Sequence, residues 1–469
     1  MSRGQSADRR HARALRRAVA AVSVLLAAAA AAAASSPFAP SIVNGTPTAA
    51  YPTTGILVMY DDASLTSFSS FCSGTLVGCE TFVVAAHCVC PDMADSAATC
   101  QEFGGLTDPA TMQVFLPHAG FVPVSHVAID PDYVFAQTGD VAVITLGVPV
   151  TGIAPSPINT LHRLDAATAG VVVGFGTTNG SRRATDDSGI KRQGPISTAM
   201  CTGDLPDATL ICWNFLGPGA STCSGDSGGP LFVDFGSGAV LAGVTSGGNS
   251  FDCSAPDTPF DTDVLLHSAW IASQAGADLR STACGTFAPV GVAPTTVLDS
   301  GGQISAAQPE ARWAFTVPPG TSVLRVALNG QFWSGPSRME TGNDFDLYVR
   351  AGSSPTTSQY DCHDANPTPL GFCEIPAPAA GTWSVLVNQT AGEGAFQLTA
   401  TALAAPVSSC AGDCNGDGQV TINDLLVSVG VALGTSNVSV CRACDLNGDG
   451  TISVDELLVA VNNALSGCR

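Results

Sequence analysis

Eight residues near the middle of the chain, Cys223-Ser224-Gly225-Asp226-Ser227-Gly228-Gly229-Pro230, constrain it more than any other stretch. Glycines on both sides of one Ser allow a tight turn that holds the hydroxyl away from the backbone and leaves neighbouring N–H groups free for an anion. A serine nucleophile with an oxyanion hole needs both properties. Serine is weakly nucleophilic at its own pKa and needs a base. Ala85-Ala86-His87-Cys88 offers one. Gly139-Asp140-Val141-Ala142-Val143-Ile144-Thr145-Leu146 offers a carboxylate at the start of an apolar run, a buried strand edge from which Asp140 would orient the His87 ring and stabilise its charged form. Asp130 and Asp132 are rivals, but they flank Pro131 and fit a solvated turn. His118, His126, His162, His267 and His363 lack the context of His87 and read as surface or internally satisfied side chains.

The order His87, Asp140, Ser227 resembles the triad of chymotrypsin-like peptidases, and the resemblance spans roughly residues 42–275. It implies a double β-barrel, His87 as base and then acid, Asp140 as its orienter, Ser227 as nucleophile, and the N–H groups of Gly225 and Ser227 as the oxyanion hole. It implies bridges Cys72–Cys88, Cys201–Cys212 and Cys223–Cys253, with Cys79, Cys90, Cys100 and Cys284 left unassigned. Ile42-Val43-Asn44-Gly45 matches the start of a mature member, so a freed Ile42 would place its α-ammonium against Asp226 and order the oxyanion turn. Ser41 precedes it, which does not suit an activator cutting after Arg or Lys; Ala39-Pro40-Ser41 has the small residues a signal peptidase takes. By the same resemblance Ser221 lies on the floor of the specificity pocket and the backbone of Ser246-Gly247-Gly248 forms its wall. Gly247 stands where a large aromatic is usual, which would open that side. Without a carboxylate at Ser221, an apolar P1 residue is expected. Two further readings stay open nearby: Phe260 narrows the pocket, or Asp261 enters it and favours a basic P1.

At 469 residues the chain has room for two or three domains. Residues 1–34 read as an export signal: an Arg-rich start, an Ala-dominated apolar run of about 17 residues, and Ala32-Ala33-Ala34 for cleavage. A retained membrane anchor is the rival, and no other segment is apolar enough to span. Residues 35–41 form a short propeptide or the end of the signal. Losing residues 1–34 removes six Arg and one Asp, taking the formal charge from −21 to about −26. That surface repels nucleic acid and anionic membranes and favours divalent cations. Behind a signal, 17 Cys read as disulfides of a secreted protein, and the odd number leaves at least one thiol without a partner in this chain.

Residues 42–284 consist of short apolar runs broken by Gly, Pro, Asn and Asp, an antiparallel β texture, with one helical candidate at Leu265–Ala275. A Gly/Pro linker (285–294) leads to residues 295–403, β-patterned again, where Cys362 and Cys373 are expected to pair. Pro318-Pro319-Gly320, Asp344-Phe345-Asp346-Leu347-Tyr348-Val349-Arg350, Tyr360-Asp361-Cys362 and Pro378-Ala379-Ala380-Gly381-Thr382-Trp383 resemble the bacterial pre-peptidase C-terminal domain, a small β-sandwich. That likeness implies a role in secretion, maturation or binding. Asp344 and Asp346 read equally as calcium ligands or as solvated loop carboxylates.

After a second linker (404–409), residues 410–469 hold a repeat with an offset of 32 residues, starting at Asp413 and at Asp445. Each copy sets oxygen side chains at loop positions 1, 3, 5 and 12, a Gly at 6 and a backbone carbonyl at 7, the spacing that wraps a hard cation. The ligands expected for Ca2+ are Asp413, Asn415, Asp417, Gln419 and Asp424, then Asp445, Asn447, Asp449, Thr451 and Glu456. Apolar-periodic helices follow at Leu425–Leu433 and Leu457–Leu465. The loop-helix duplication resembles a dockerin domain, which implies a cohesin-like or cell-surface partner, although five Cys are unusual for one.

The expected protein is therefore mainly β: a double-barrel chymotrypsin-like domain, a small β-sandwich and a small α-helical EF-hand/dockerin-like domain. The expected function is a secreted serine endopeptidase acting on proteins or peptides, with structural Ca2+ and no nucleic-acid partner. The alternatives are a catalytically silent homologue that works as a binding protein, and a scaffold-attached component delivered by the repeat.

Overall fold

The computed structural model describes residues 42–91, 94–181, 187–281, 284, 295–333, 342–404, 410–414, 419–436, 438–446 and 450–467. Residues 1–34, read above as an export signal, and residues 35–41 lie outside the described residues.

Strand β1 (Thr46–Pro47) precedes a closed barrel of six strands: β2 (Thr54–Tyr60), β3 (Phe68–Leu76), β4 (Thr81–Val84), β5 (Met112–Leu116), β6 (Gly120–Ile129) and β7 (Ala142–Leu146). Its order is β2-β3-β4-β7-β6-β5. The second barrel uses β8 (Ala169–Gly174), β9 (Arg192–Ala199), β10 (Leu210–Trp213), β11 (Pro230–Asp234), β12 (Ala239–Gly248) and β13 (Pro259–Asp263). These run β9-β10-β13-β12-β11-β8, the β8–β9 pairing closes the ring, and β1 attaches to β9. Closure removes every sheet edge in each barrel, so few backbone groups are left to satisfy. The helix read at the end of this block is α2 (Val264–Ala275), capped by Asp263. A short α1 (Ala97–Glu102), capped by Ser96, was not legible. The four unassigned cysteines pair as Cys79–Cys284 and Cys90–Cys100, and the first of these ties the end of the block to the β3–β4 turn of the first barrel, 205 residues earlier.

Strand β2 explains an oddity of the sequence. Antiparallel strands usually alternate apolar and polar residues, yet Gly55–Tyr60 is apolar throughout and wholly buried. Leu57 and Met59 fill the first barrel. Ile56, Val58 and Tyr60 point the other way, into a second apolar cluster with Phe332, Trp333 and Leu370. Those partners belong to the next domain.

That domain is a sandwich of two four-stranded sheets. One sheet is ordered β14 (Thr295–Ile304), β21 (Gly394–Ala404), β16 (Thr321–Gly330), β19 (Leu370–Pro376); the other β15 (Glu310–Val317), β20 (Gly381–Ala391), β17 (Asp344–Ala351), β18 (Cys362–Asp364). Leu324, Val326 and Leu328 point into its core, and Ala327 faces the barrels. Cys362 bonds Cys373. Asp344 opens β17 and Asp346 is buried within it, accepting from the Tyr348 hydroxyl at 3.0 Å, so Asp346 is no solvated loop residue.

The C-terminal block has two helices, α3 (Ile422–Ala432) and α4 (Val454–Ser466). Both start three residues before the apolar periodicity does, because Thr421 and Ser453 form capping boxes with Asp424 and Glu456. Cys414 bonds Cys441, and Cys444 is a buried free thiol 2.8 Å from the Ser428 hydroxyl. No helix among the described residues is long and apolar enough to cross a membrane.

Candidate active site

His87 sits in a one-turn helix, Ala86–Cys88, immediately after β4, and the Cys72–Cys88 bridge ties that turn to β3. Asp140 lies just ahead of β7. Since β4 pairs with β7 from Thr81↔Thr145 to Val84↔Ala142, the two turns emerge side by side. The Asp140 carboxylate spans both groups of His87: Oδ1 accepts from the backbone N–H at 2.9 Å, and Oδ2 lies 2.8 Å from Nδ1. The Ser246 hydroxyl donates to the same Oδ2 at 2.5 Å, and the Thr262 hydroxyl donates to the Asp140 carbonyl at 3.1 Å. The family resemblance implies only a backbone role for Ser246, in the pocket wall; its hydroxyl, turned to Asp140, has a separate part that the resemblance did not indicate.

Asp140 is buried, whereas the His87 side chain keeps 24% of its surface exposed, enough to meet a ligand. Burial alone pulls the imidazole pKa down, and the Asp140 charge and hydrogen bond more than reverse this, leaving it raised above 6.5. Burial likewise pushes the Asp140 carboxyl up, and His87 together with the Ser246 and backbone donors brings it below its ordinary value.

The Ser227 turn joins this pair from the second barrel. A Cβ on Gly228 would lie 2.8 Å from Ala85 N, two residues before His87, so only glycine admits the approach. Gly228 N donates to Thr245 O at 2.7 Å and Thr245 N to Gly229 O at 2.9 Å, locking the turn to the strand that carries Ser246. Ser73 holds it from the first barrel: its N donates to Ser227 O at 2.9 Å and its hydroxyl to Gly225 O at 2.9 Å. Pinning that carbonyl fixes the plane of the Gly225–Asp226 peptide. Nothing in the local sequence marks Ser73 for this task.

Asp226 is fully buried; Oδ1 accepts from Gly176 N at 2.8 Å and Oδ2 from Cys223 N at 2.9 Å. Burial pushes its pKa up to about 7, against the pull of those N–H groups and of Arg192. Ile42 is buried in the second barrel's core with Val172, Ile196 and Trp213. Asn44 anchors the segment through its side-chain amide to Gly217 O at 2.7 Å and Gly219 O at 2.8 Å. The backbone of Ile42 has φ +43°, a strained conformation for a β-branched residue.

Ser221 is buried, with its N donating to Val43 O at 3.2 Å. The expected opening beside Gly247 is filled. Its missing side chain is replaced by Phe260 and Phe135, whose Cζ atoms lie 2.9 and 3.3 Å from where a Cβ would stand. Phe135 also meets the His87 ring edge-on, centroids 5.6 Å apart. Next to it, a Cβ on Gly248 would lie 2.7 Å from the Asp257 carboxylate. Asp261 pairs with Thr245 in the strand ladder and is fully buried, and among the described residues no group meets either carboxylate oxygen at good hydrogen-bond geometry. Burial raises its pKa well above 3.8, tempered only by the nearby Thr245 hydroxyl.

The rival Asp130 is not solvated. It is buried, and its Oδ2 lies 2.8 Å from Nδ1 of the buried His267 on α2. His118 is buried too, between Thr401 Oγ1 and Ala49 O, each at 2.8 Å. The bridges Cys201–Cys212 and Cys223–Cys253 flank the second barrel's part of the site.

In the C-terminal repeat, Asp413 is buried and Asp424 reaches back to Cys414 N at 3.1 Å. Glu456 reaches Leu446 N at 2.8 Å in the second copy, so each loop's last carboxylate is folded against its start. This oxygen-only donor set suits a hard cation. Asn415, Asp417, Asn447 and Asp449 lie outside the described residues, while Gln419 and Thr451 stand on the exposed side.

Comparison with known proteins agrees with this architecture. Residues 42–271 match the family Trypsin, residues 309–389 the bacterial pre-peptidase C-terminal domain, and residues 411–465 the dockerin type I domain. A trypsin of Saccharopolyspora erythraea is 32% identical over 200 residues, 40% of this chain and 79% of that protein. Brachyurin of Leptuca pugilator is 31% identical over 213 residues, 44% and 88% of the two chains. Tryptase of Mus musculus is 28% identical over 230 residues, 45% and 80%. The two closed barrels and the converging site define a trypsin-like serine peptidase domain. The chain belongs to the trypsin family, and it carries pre-peptidase C-terminal and dockerin domains behind its peptidase domain.

Proposed function

We propose that this protein is a secreted serine endopeptidase in which Ser227 attacks the peptide carbonyl, His87 takes its proton and later returns it to the leaving amine, and Asp140 holds and stabilises the charged imidazole. The N–H groups of Gly225 and Ser227 stabilise the oxyanion, and water hydrolyses the acyl-enzyme. The observation that carries this reading is the Asp140 carboxylate bound to both the backbone and the ring of His87, with the Ser246 hydroxyl on the same carboxylate and the Thr262 hydroxyl on the Asp140 carbonyl.

The mature chain begins at Ile42. A φ angle exists only while a residue precedes, so cleavage before Ile42 releases a strain of about 1–3 kcal/mol and frees the ammonium that Asp226 needs. The P1 preference is apolar, supported by Ser221 at the pocket floor and by Phe260 and Phe135 beside Gly247. A basic P1 is the second reading, favoured by the Asp261 carboxylate, which no group among the described residues meets at good hydrogen-bond geometry. Asp413, Asp424, Asp445 and Glu456, with the loop residues between them, hold structural Ca2+, and the repeat docks the enzyme to a cohesin-like or cell-surface partner.

Labelling of the purified protein with a fluorophosphonate tests the central claim. A mass-located adduct on Ser227 that disappears in His87→Ala is the expected result. Protein beginning at Ile42 that forms no adduct would make the chain a silent homologue acting as a binding protein.

A further inference from the structure

The oxyanion turn is supported from outside the peptidase barrels. Gly225 has φ +94°, and the place its Cβ would occupy lies 2.5 Å from Cζ of Phe71, so that ring covers the outer side of the turn. Phe71 in turn stacks on Phe332 of the β-sandwich, with centroids 4.6 Å apart, and has Trp333 at 6.3 Å. Phe332 is only 1% exposed and belongs to the apolar cluster that covers the outer face of β2.

A second route runs through hydrogen bonds. Phe332 N donates to Ser188 O at 3.2 Å, and the Asn329 side chain donates to Gly189 O at 2.9 Å. Gly189 N donates to Phe175 O at 2.7 Å. Phe175 N donates to the Ser73 hydroxyl at 3.0 Å, the same hydroxyl that holds Gly225 O. Away from the turn, Arg325 of the sandwich is buried against the first barrel, donating to Thr151 O at 2.6 Å and His118 O at 3.1 Å.

We infer that the β-sandwich is a working part of the peptidase, and that Phe332 is a positioning residue which, through Phe71, holds the Gly225 N–H where the oxyanion forms. The inference rests on the proposed roles of Gly225 and Ser227. Oxyanion stabilisation depends on donors fixed before the reaction, so loosening one lowers kcat more than substrate binding. A filler that merely glued two domains together would affect stability without that selectivity.

The test uses protein that begins at Ile42 and carries all three domains, with calcium present, and the variants Phe332→Ala, Phe332→Leu and Val385→Ala. Val385 is buried in the sandwich core, away from the barrels, and controls for a weakened sandwich. Phe332→Ala is expected to lower kcat on a peptide substrate roughly tenfold, with KM changed less than about twofold, and to speed amide exchange in residues 223–229. Phe332→Leu should restore most of both. Val385→Ala should lower the melting temperature and leave kcat and exchange alone. A folded Phe332→Ala protein with unchanged kcat and exchange overturns the inference, as does an equal loss in Val385→Ala. Should Phe332→Ala fail to fold, Phe332→Val removes the ring with less loss of volume: it is expected to lower kcat and speed exchange in residues 223–229 in the same direction, and a folded Phe332→Val protein with both unchanged overturns the inference. Absence of a fluorophosphonate adduct on unaltered protein beginning at Ile42 defeats the peptidase reading alone, because exchange at the turn still reports whether Phe332 holds it.

Discussion

Ser246 Oγ donates to Asp140 Oδ2 at 2.5 Å, the same oxygen that lies 2.8 Å from His87 Nδ1. A hydrogen bond to a buried charged group contributes about 1.5–3 kcal/mol. Ser246→Ala should therefore lower kcat roughly tenfold through a less firmly held carboxylate, with little change in KM. Steady-state kinetics on one peptide substrate decides it. Unchanged kcat would mean that the hydroxyl only fills space.

His87 must be neutral to accept a proton, and its pKa is raised above 6.5 because the Asp140 charge outweighs burial. The acidic limb of kcat/KM should then lie above pH 6.5. Asp140→Asn removes the charge and leaves the burial, so the limb should move below 6.5 while kcat falls by about four orders of magnitude. A limb that stays in place would show that another group sets it.

Much of this site was legible in the sequence because its parts are local motifs: a Gly-rich turn, a His next to a Cys, an Asp at the start of an apolar run. What was not legible is what meets across the fold. Asp130 reads as a solvated turn residue beside Pro131, and only the packing of α2 brings His267 to it. Gly247 reads as an opening, and Phe135, more than a hundred residues earlier, fills it. Cysteine spacing does not set connectivity, so Cys79–Cys284 had no local signal. The apolar run of β2 did carry a signal, since a strand buried on both faces requires a second partner.

Asp261 is fully buried with no well-formed hydrogen bond to its carboxylate among the described residues, and burial raises its pKa well above 3.8. The native state therefore keeps a proton that the unfolded chain releases. The stability this gives is fully present below about pH 3.8 and is lost as pH rises through the folded pKa. Asp261→Asn stays neutral throughout, so its melting temperature should gain on that of the unaltered protein between pH 4 and pH 8. Parallel curves would show a carboxylate already charged and compensated. P1 profiling of the same variant separates the two pocket readings: an apolar preference should survive, whereas a basic preference built on Asp261 should vanish.

Glu456 carries two roles that one substitution can separate. Oε1 accepts from Leu446 N at 2.8 Å, and Oε2 accepts from Ser453 N at 2.7 Å, capping α4 while closing the second repeat loop. A cation bound only by the folded loop stabilises it by RT ln(1 + [L]/Kd), so EDTA should lower the melting temperature of the α3–α4 module and reduce helical circular dichroism. Labelling of Ser227 by a small probe should be untouched. Glu456→Gln keeps one oxygen, so it weakens the cap with or without metal. Its destabilisation measured in EDTA is the cap's share, and the additional destabilisation in millimolar calcium is the metal's. The calcium reading requires that additional part to be large, about 1–3 kcal/mol. Equal losses in the two conditions would leave Glu456 as a helix cap alone and remove the second loop from the calcium assignment.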